Sequence, residues 1–331
     1  MDVIEDVLGN LHLRSSVFCR MALAAGWGFS KDPLAGVPFH IVISGQAVIT
    51  GGTVGETYHM AQGDIAILPG GDAHELLHHE HARRVPFSDV LNAIGVPPWQ
   101  PGHHFETRAF HYGQKSDAAG TVIISGVFHF GDRSYTPLLS GLPKVLLLRQ
   151  DNAGPEQHAL AQVVSLLDRE ISSDHTGRGT VSAHLTDILF IYALRAWLAT
   201  DARSGAPGLL RGLADRYIAS VLQEVHQRPE ARWSLDAMAA TAGQSRSRFA
   251  EHFRTVMGMP PLTYVTDWRM RQAARRLLIS GSRLASIAEL AGYRSEASFS
   301  KAFQKWAGCT PARFRRERGA GERRVHLIAR T

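Results

Sequence analysis

The sequence is poor in the features that build disulfide-linked, secreted or membrane-spanning proteins. Only two of its 331 residues are cysteines, Cys19 and Cys309, and they lie far apart in the chain. A disulfide framework is therefore not supported. We find no signal-peptide pattern and no apolar run of about 18 residues. The sequence predicts a soluble, cytoplasmic protein with no membrane partner.

Acidic residues are scarce in the last third of the chain. Residues 210–331 contain 22 Lys and Arg against 10 Asp and Glu, a net charge of +12. Residues 1–209 contain 14 against 20, a net charge of −6. A basic C-terminal half suits neutralisation of nucleic-acid phosphates, whereas the acidic half is not expected to touch nucleic acid.

Residues 1–150 are predicted to form a β-rich first domain. Stretches with β-branched or aromatic residues between Gly and Pro predict strands at Phe39–Ile43, Gln46–Thr50, Asp64–Leu68, Thr121–Phe130 and Lys144–Leu148. The segment 80–120 is rich in His, Pro and polar residues, and it predicts a long irregular loop.

Helices are predicted for most of the remaining chain. The segment 151–201 contains two, Glu156–Ile171 and His184–Ala199, which would pack on the first domain or form a dimer contact. Residues 202–210 have the composition of a linker, residues 211–318 are predicted to form a helical domain, and residues 319–331 are a basic tail.

The helical domain contains an internal repeat. Segment 235–243 (LDAMAATAG) is echoed 49 residues later by 284–292 (LASIAELAG). Phe249 and Phe253 then match Phe299 and Phe303. Each copy, about 235–257 and 284–307, predicts two short helices around a tight turn, which is the helix-turn-helix pattern.

The turn residues and aromatic residues of each copy have predicted structural roles. Ser234, Ser245 and Ser295 are placed to cap helix N-termini, and Gly243 permits positive φ at the turn. The four repeated phenylalanines are expected in the core. A long helix, Leu262–Ile279, would join the copies and hold two recognition helices about 34 Å apart, in successive major grooves.

The C-terminal 110 or so residues resemble the AraC/XylS family of bacterial transcription regulators. The motifs that carry the resemblance are WRMRQAA at 268–274, IAELAGY at 287–293, SFSKAF at 298–303 and GCTP at 308–311. They occur in order and at fixed spacing across a whole domain. The resemblance implies specific binding to promoter DNA and, more often than not, activation through RNA polymerase.

Periodicity and the resemblance together give candidate DNA contacts. Helical periodicity places seven residues outward on the two recognition helices: Arg246, Ser247, Ala250, Glu251, Ala297, Ser298 and Lys301. The family pattern implies base contacts for all of these except Arg246. Arg246 and Arg248 would instead hold phosphate, which positions the protein without reading sequence. The arginines at 269, 271, 275 and 276 are expected to form a solvated or phosphate-facing stripe.

The N-terminal half contains one cupin motif. Residues 63–74 (GDIAILPGGDAH) match the second motif of cupins, which are double-sheet barrels that enclose a metal or small ligand. The first motif is not reproduced, and only His40 lies near its place. His40 and His74 would bind a divalent ion such as zinc, or they are buried, hydrogen-bonded barrel residues.

Several further segments of the N-terminal half resemble AraC-type regulators with a cupin sensor: 38–45, 125–130, 138–143 and 187–197. One member of that subgroup senses reactive chlorine with two cysteines. Here Cys19 occupies the place of one, but Ser125 occupies the place of the other, so the disulfide switch is not carried over. Cys19 is either an inert packed thiol or a redox sensor.

The predicted fold is α+β with two domains: an N-terminal cupin-like β-barrel with following helices, and a C-terminal all-α tandem helix-turn-helix domain. The predicted protein is a non-enzymatic transcription regulator controlled by a small molecule or chemical signal. Its partners would be double-stranded promoter DNA, RNA polymerase, the effector and a second copy in a homodimer. Two alternatives are a cupin that retains metal-dependent enzymatic activity and a sequence-tolerant architectural DNA binder.

Overall fold

The computed structural model describes residues 13–51, 56–95, 107–113, 120–130, 139, 141–150, 154–200, 207–279 and 281–316. The chain divides between residues 206 and 207 into two compact units, here called the N-terminal and C-terminal units. The predicted basic tail lies outside the described residues, as do His103 and His104 of the predicted loop and the first part of the predicted linker.

The N-terminal unit contains two β-sheets. The strands are β1 (Arg14–Leu23), β2 (Gly28–Lys31), β3 (Val37–Ser44), β4 (Gln46–Gly51), β5 (Thr57–Ala61), β6 (Ile65–Ile67), β7 (His74–Leu77), β8 (Val85–Pro86), β9 (Arg108–Tyr112), β10 (Thr121–His129) and β11 (Leu146–Leu148). One sheet has the order β11-β6-β3-β10-β1-β9 and the other β5-β4-β7-β2-β8. Among the described residues no hydrogen-bonded ring closes the two sheets into one barrel.

A hydrophobic core of this unit lies between the two sheets. Met21, Phe29, Ile49 and Leu76 are fully buried there and come from four different strands. Alternate residues of each strand point to this interior, as the two-residue period of a strand requires. The polar side chains described below come from the same inward-facing rows.

All five predicted strands are confirmed, as β3, β4, β6, β10 and β11. The predicted irregular loop over 80–120 is wrong in its described part, because β8, β9 and a helix, α1 (Phe87–Ala93), lie within it. β8 pairs with β2, and β9 pairs with β1, both in parallel. Such short edge strands gain their structure from a distant partner, so their own sequence gives little signal.

Two helices follow the strands, α2 (Pro155–Ile171) and α3 (Arg178–Thr200), as predicted. Phe128 of the six-stranded sheet stacks on Phe39 and also contacts Phe190 of α3. The residues 178–199 are long and apolar enough to cross a membrane by length and composition, although the sequence showed no uninterrupted apolar run. That match is weak evidence, because a helix packed in a protein core passes the same test.

The C-terminal unit is helical throughout its described elements. They are α4 (Leu209–Ala214), α5 (Arg216–Gln227), α6 (Leu235–Thr241), α7 (Arg246–Met257), α8 (Pro261–Ile279), α9 (Leu284–Leu290) and α10 (Glu296–Ala307). Asp215 caps the N-terminus of α5, because its carboxylate accepts hydrogen bonds from the backbone N–H groups of Tyr217 and Ile218. Its buried face, including Val221 and Val225, belongs to the core of the unit.

Candidate DNA interface and sensor interior

The first repeat copy forms a helix-turn-helix from α6 and α7. Ser234 caps α6, since its hydroxyl accepts the Ala237 N–H at 3.1 Å. Ser245 occupies the N-cap position of α7, but its side chain makes no capping hydrogen bond. Gly243 has φ of +61°, as the tight turn between the helices was predicted to need.

The second copy repeats this geometry with α9 and α10. Ser295 caps α10 by accepting the Ser298 N–H at 3.2 Å, and Gly292 has φ of +78° at the turn. The phenylalanines of both copies are fully buried: Phe249, Phe253, Phe299 and Phe303. The core role predicted for them is therefore confirmed, and each copy has its own aromatic cluster.

The structure places the predicted DNA-contact residues on the outer faces of α7 and α10. Of the seven, Ala250 alone is half-buried. The other six are exposed: Arg246, Ser247, Glu251, Ala297, Ser298 and Lys301. Arg246 Nη1 lies 3.6 Å from the Asp236 carboxylate, and both side chains are solvent-exposed. An exposed pair of this kind is weak, so Arg246 remains free to turn toward a phosphate.

An aromatic stack and an arginine fasten the linking helix α8 to α5 and to the segment that leads into the first copy. His226 of α5 stacks on Trp268 with ring centroids 3.8 Å apart, and its Nε2 lies 2.7 Å from the Tyr264 hydroxyl. Arg269 donates to the carbonyl oxygens of Pro229 and Ala231, both at 2.6 Å. The half-buried guanidinium thus fixes the segment between α5 and α6.

Other residues fasten α8 to the second copy. Trp306 of α10 donates its indole N–H to Asp267 at 2.7 Å, and Arg271 donates to the same carboxylate. A Cβ placed on Gly292 would lie only 3.1 Å from the guanidinium carbon of Arg269. The expectation that Arg269 and Arg271 face solvent or phosphate is therefore wrong, because both are held by groups of the protein itself.

The interior of the N-terminal unit contains a chain of polar side chains. His40 Nδ1 lies 2.7 Å from the Ser125 hydroxyl, and His40 Nε2 lies 2.8 Å from His74 Nε2. His74 Nδ1 lies 3.0 Å from the carbonyl oxygen of Asp72. His40 and Ser125 belong to the six-stranded sheet and His74 to the five-stranded sheet, so the histidine pair bridges the two sheets.

The direction of each hydrogen bond in this chain follows from the Asp72 carbonyl, which can only accept. His74 Nδ1 must carry a proton and donate to it, so the Nε2 of a neutral His74 accepts from His40 Nε2–H. His40 Nδ1 then accepts from the Ser125 hydroxyl. Burial, with the charge of Lys31, lowers the pKa of both histidines, which keeps them neutral. Each imidazole nitrogen is satisfied.

Comparison with known proteins places both units in described families. A family model described as Cupin matches residues 2–199, and one described as Helix-turn-helix domain matches residues 238–317. The chain is an AraC/XylS-family transcription regulator with an N-terminal cupin domain.

Two relatives of similar length are named as transcription regulators. A putative AraC-like transcription regulator from Streptomyces lividans is 29% identical over 96% of this chain and 98% of its own length. The transcriptional regulator AlkR of Acinetobacter baylyi is 27% identical over 96% of this chain and 100% of its own. The crystal structure of the AdpA DNA-binding domain with target DNA is 29% identical and covers 29% of this chain and 87% of its own, with a TM-score of 0.28.

In the described structure His40 and His74 form a hydrogen-bonded pair and do not have the spacing of two zinc ligands. Two imidazole nitrogens on one tetrahedral zinc ion lie about 3.3 Å apart, since each Zn–N bond is about 2.0 Å. His40 Nε2 and His74 Nε2 are closer, at 2.8 Å, and the remaining ring nitrogens are engaged. In the part of the chain that the structure describes, no three His, Cys, Asp or Glu side chains are grouped to hold an ion.

A pH dependence follows from the neutral state of His74. Burial lowers the pKa of His74 from 6.5 to about 4, so the unfolded chain binds its proton first as the pH falls. The stabilisation is complete above about pH 6.5 and is lost as the pH falls toward 4. Between pH 7 and pH 5 we expect His74 to account for about 2 kcal/mol of lost unfolding free energy.

Urea titrations of the full chain at the two pH values measure this loss. The variant His74→Gln removes the titrating group while keeping a donor and an acceptor, so its loss should be smaller by that amount. An identical pH profile for the variant and the wild type would contradict a buried neutral His74.

Several residues that shape the site were missed by sequence reasoning. Lys31 lies at the end of β2, directly paired with His74 of β7, and its charge acts on His40, His74 and Cys19. The one sequence signal at Lys31 is the rarity of its residue type, since the chain has only five lysines. Nothing in the spacing of Asp267 and Trp306 indicates their contact, because 39 residues separate them.

Proposed function

We propose that this regulator is a cytoplasmic transcription activator whose cupin domain responds to a chemical signal and whose two helix-turn-helix copies bind one promoter site. The observation that carries the proposal is the pair of exposed recognition-helix faces, each on its own buried aromatic cluster, in a unit of net positive charge. A recognition helix must expose its outer face to enter the major groove.

The proposed reading of DNA divides the exposed residues by chemistry. Ser247, Glu251, Ser298 and Lys301 carry donors or acceptors that suit base edges, and the small side chains of Ala250 and Ala297 allow close approach to the groove. Arg246 and Arg248, near the start of α7, suit phosphate. The fastened helix α8 supports simultaneous engagement of both copies.

Lys301→Ala tests the base-reading role of α10. We expect a loss of about 1–3 kcal/mol in binding to a specific site selected from a random DNA library, and a much smaller loss on random DNA. The ammonium would contact a guanine edge, which only the specific site presents at that position. Fluorescence anisotropy at fixed salt measures both affinities.

Lys305→Ala is the matched control, because Lys305 is also exposed on α10 but lies one turn further from its N-terminus. Equal losses for Lys301→Ala on specific and random DNA would reassign Lys301 to a phosphate. Unchanged affinity for specific and for random DNA would show that Lys301 does not contact DNA.

A cavity in the cupin domain supports the proposed response to a small molecule. It has a volume of about 250 Å³ and lies between α2 and strands β6 and β11. Its lining combines apolar and polar side chains, including Ile65, Leu160, Gln62, Gln157 and Asp168. Such a mixture suits a small ligand that has an apolar body and a few hydrogen-bonding groups.

RNA polymerase and a second copy of the chain are the other proposed partners. Leu166 of α2 and Val181 and Ile188 of α3 are 43%, 44% and 40% exposed, and such apolar side chains suit a homodimer contact. We do not propose an enzymatic cupin, since the described donor set is a hydrogen-bonded histidine pair. The recognition-helix geometry favours a specific binder over an architectural one.

A further inference from the structure

The two recognition helices are held by different residues, at positions where the internal repeat diverges. His252 of α7 corresponds to Ala302 of α10, and Trp306 of α10 corresponds to Val256 of α7. His252 and Trp306 each make a polar contact that the other copy cannot make, since alanine and valine have no side-chain hydrogen-bonding group. The repeat therefore supplies the common core, and these two side chains supply a contact specific to each copy.

In the first copy, His252 joins the recognition helix to the start of α5. Its Nε2 lies 2.9 Å from the Asp215 carboxylate, and its Nδ1 lies 3.2 Å from the side-chain amide nitrogen of Gln244. The other carboxylate oxygen of Asp215 caps α5. Gln244 lies between α6 and α7. One imidazole thus connects three segments: the cap of α5, the turn of the helix-turn-helix and the recognition helix.

The two end groups fix the direction of both hydrogen bonds. The carboxylate of Asp215 can only accept, and the amide nitrogen of Gln244 can only donate. His252 therefore accepts at Nδ1 and donates from Nε2 to an ionised acceptor, which makes a stronger hydrogen bond than a neutral one. The side chains of His252 and Asp215 are 26% and 23% exposed, so water screens this bond only in part.

In the second copy, Trp306 makes the corresponding contact with a different helix. Its indole N–H donates to Asp267 of α8 at 2.7 Å, and its ring lies 5.6 Å from that of Phe303 between centroids. Arg271 holds Asp267 in turn, because its Nε donates to the other carboxylate oxygen at 2.7 Å. Each recognition helix is thus anchored on one partly buried carboxylate from outside its own helix pair, Asp215 or Asp267.

We propose that His252 is the positioning residue of the first recognition helix and Trp306 that of the second, so that each governs how well its own half-site is read. The inference rests on the proposed binding of one DNA site by both copies. Burial of the repeated phenylalanines holds each helix against its core, but apolar attraction is non-directional. A directed hydrogen bond to a fixed carboxylate also sets the rotation of the helix about its axis.

This rotation matters because base readout depends on angle. The predicted base contacts Ser247 and Glu251 lie on the same helix as His252. A hydrogen bond to a base edge weakens steeply when its angle departs from linear. A small rotation of α7 would therefore weaken base contacts, whereas phosphate contacts carry no sequence information. Loss of His252 should reduce discrimination at one half-site more than the overall attraction to DNA.

Scrambled half-sites test the inference with the full chain. The probes are a specific site selected from a random DNA library and two derivatives, each with one half-site scrambled. Discrimination at a half-site is the affinity for the intact site divided by the affinity for the derivative. We expect His252→Ala to lower discrimination at one half-site about tenfold, the scale of one good base contact, and to leave the other unchanged. Trp306→Phe should affect the opposite half-site.

Matched variants separate positioning from folding. His252→Gln keeps a donor within reach of Asp215 and should retain most of the discrimination, whereas His252→Leu keeps bulk without a donor and should lose it. Thr255→Ala and Gln304→Ala, at exposed residues of α7 and α10, are the controls. Urea titrations establish that each variant is folded under the binding conditions. Equal losses at both half-sites, or full discrimination by folded His252→Ala and His252→Leu, would overturn the inference.

NMR spectra of the histidine ring nitrogens test the anchor of α7 without DNA. The signals that disappear in His252→Gln should show a proton on Nε2. A ring protonated only at Nδ1 could not donate to Asp215, and it would overturn the inference. A wild type whose affinity is unaffected when one half-site is scrambled would instead overturn the two-copy binding of the proposed function, and the NMR result would still decide whether His252 holds the helix.

Discussion

Replacing Arg269 by alanine is expected to lower the unfolding free energy of the C-terminal unit by about 2–3 kcal/mol, since two hydrogen bonds from a half-buried charged group are lost. The carbonyl oxygens of Pro229 and Ala231 would lose their donor. The space beneath the Gly292 turn would also empty. Urea titration of the full chain measures the loss.

The same variant should relax the spacing of the two recognition helices. For wild-type protein, one base pair inserted between the two half-sites of a selected DNA site rotates one half-site away from its helix and lowers affinity. For Arg269→Ala that penalty should shrink, because α8 no longer holds the segment at 229–231 that leads into the first copy. Arg276→Ala, at an exposed arginine of the same helix, is the control. An unchanged insertion penalty together with an unchanged stability would show that Arg269 is dispensable.

Phe303→Ala is expected to lower the unfolding free energy of the second helix-turn-helix by about 3–5 kcal/mol, the usual range for truncation of a buried phenylalanine. Phe303 is fully buried, and its ring contacts those of Phe299, Trp306 and Phe314 at centroid distances of 5.6, 5.6 and 5.3 Å. A cavity of that size in a two-helix copy should leave α10 partly unfolded. Specific DNA binding should then fall toward the affinity of the first copy alone.

Hydrogen exchange localises this effect. Faster exchange should appear in α9 and α10 while α6 and α7 keep their protection, and Phe253→Ala should give the reverse pattern. Leu290→Ala is the control, since Leu290 is 48% exposed and its truncation should change stability by no more than about 0.5 kcal/mol. Uniform exchange across both copies would mean that they unfold as one cooperative unit.

The internal repeat allowed the helix caps, turns and core residues of the C-terminal unit to be predicted from the sequence. Ser234 and Ser295 are caps, Gly243 and Gly292 have positive φ, and the four phenylalanines are buried, because each of these roles depends on neighbours within one turn or one helix pair. Local sequence signals of the same kind predicted β3 and β4, which flank Gly45, and β6, which follows Gly63.

The error over residues 80–120 has the opposite cause. β8 and β9 are short, and each is stabilised by pairing with a strand more than 50 residues away. Arg269 and Arg271 were misjudged for a similar reason. Helical periodicity predicts which face of its helix a side chain occupies. It does not predict whether a carbonyl or carboxylate group from another segment lies against that face.

The sequence by itself determined the two-unit organisation of charge, the tandem helix-turn-helix and the outward faces of its recognition helices, since local periodicity and capping encode these features. Only the tertiary structure decided what the cupin interior contains. The Nε2 atoms of His40 and His74 lie 2.8 Å apart across two sheets, and strand pairing places Lys31 beside His74. Strand pairing brings these residues together from separate parts of the chain, and no spacing rule in the sequence records that pairing.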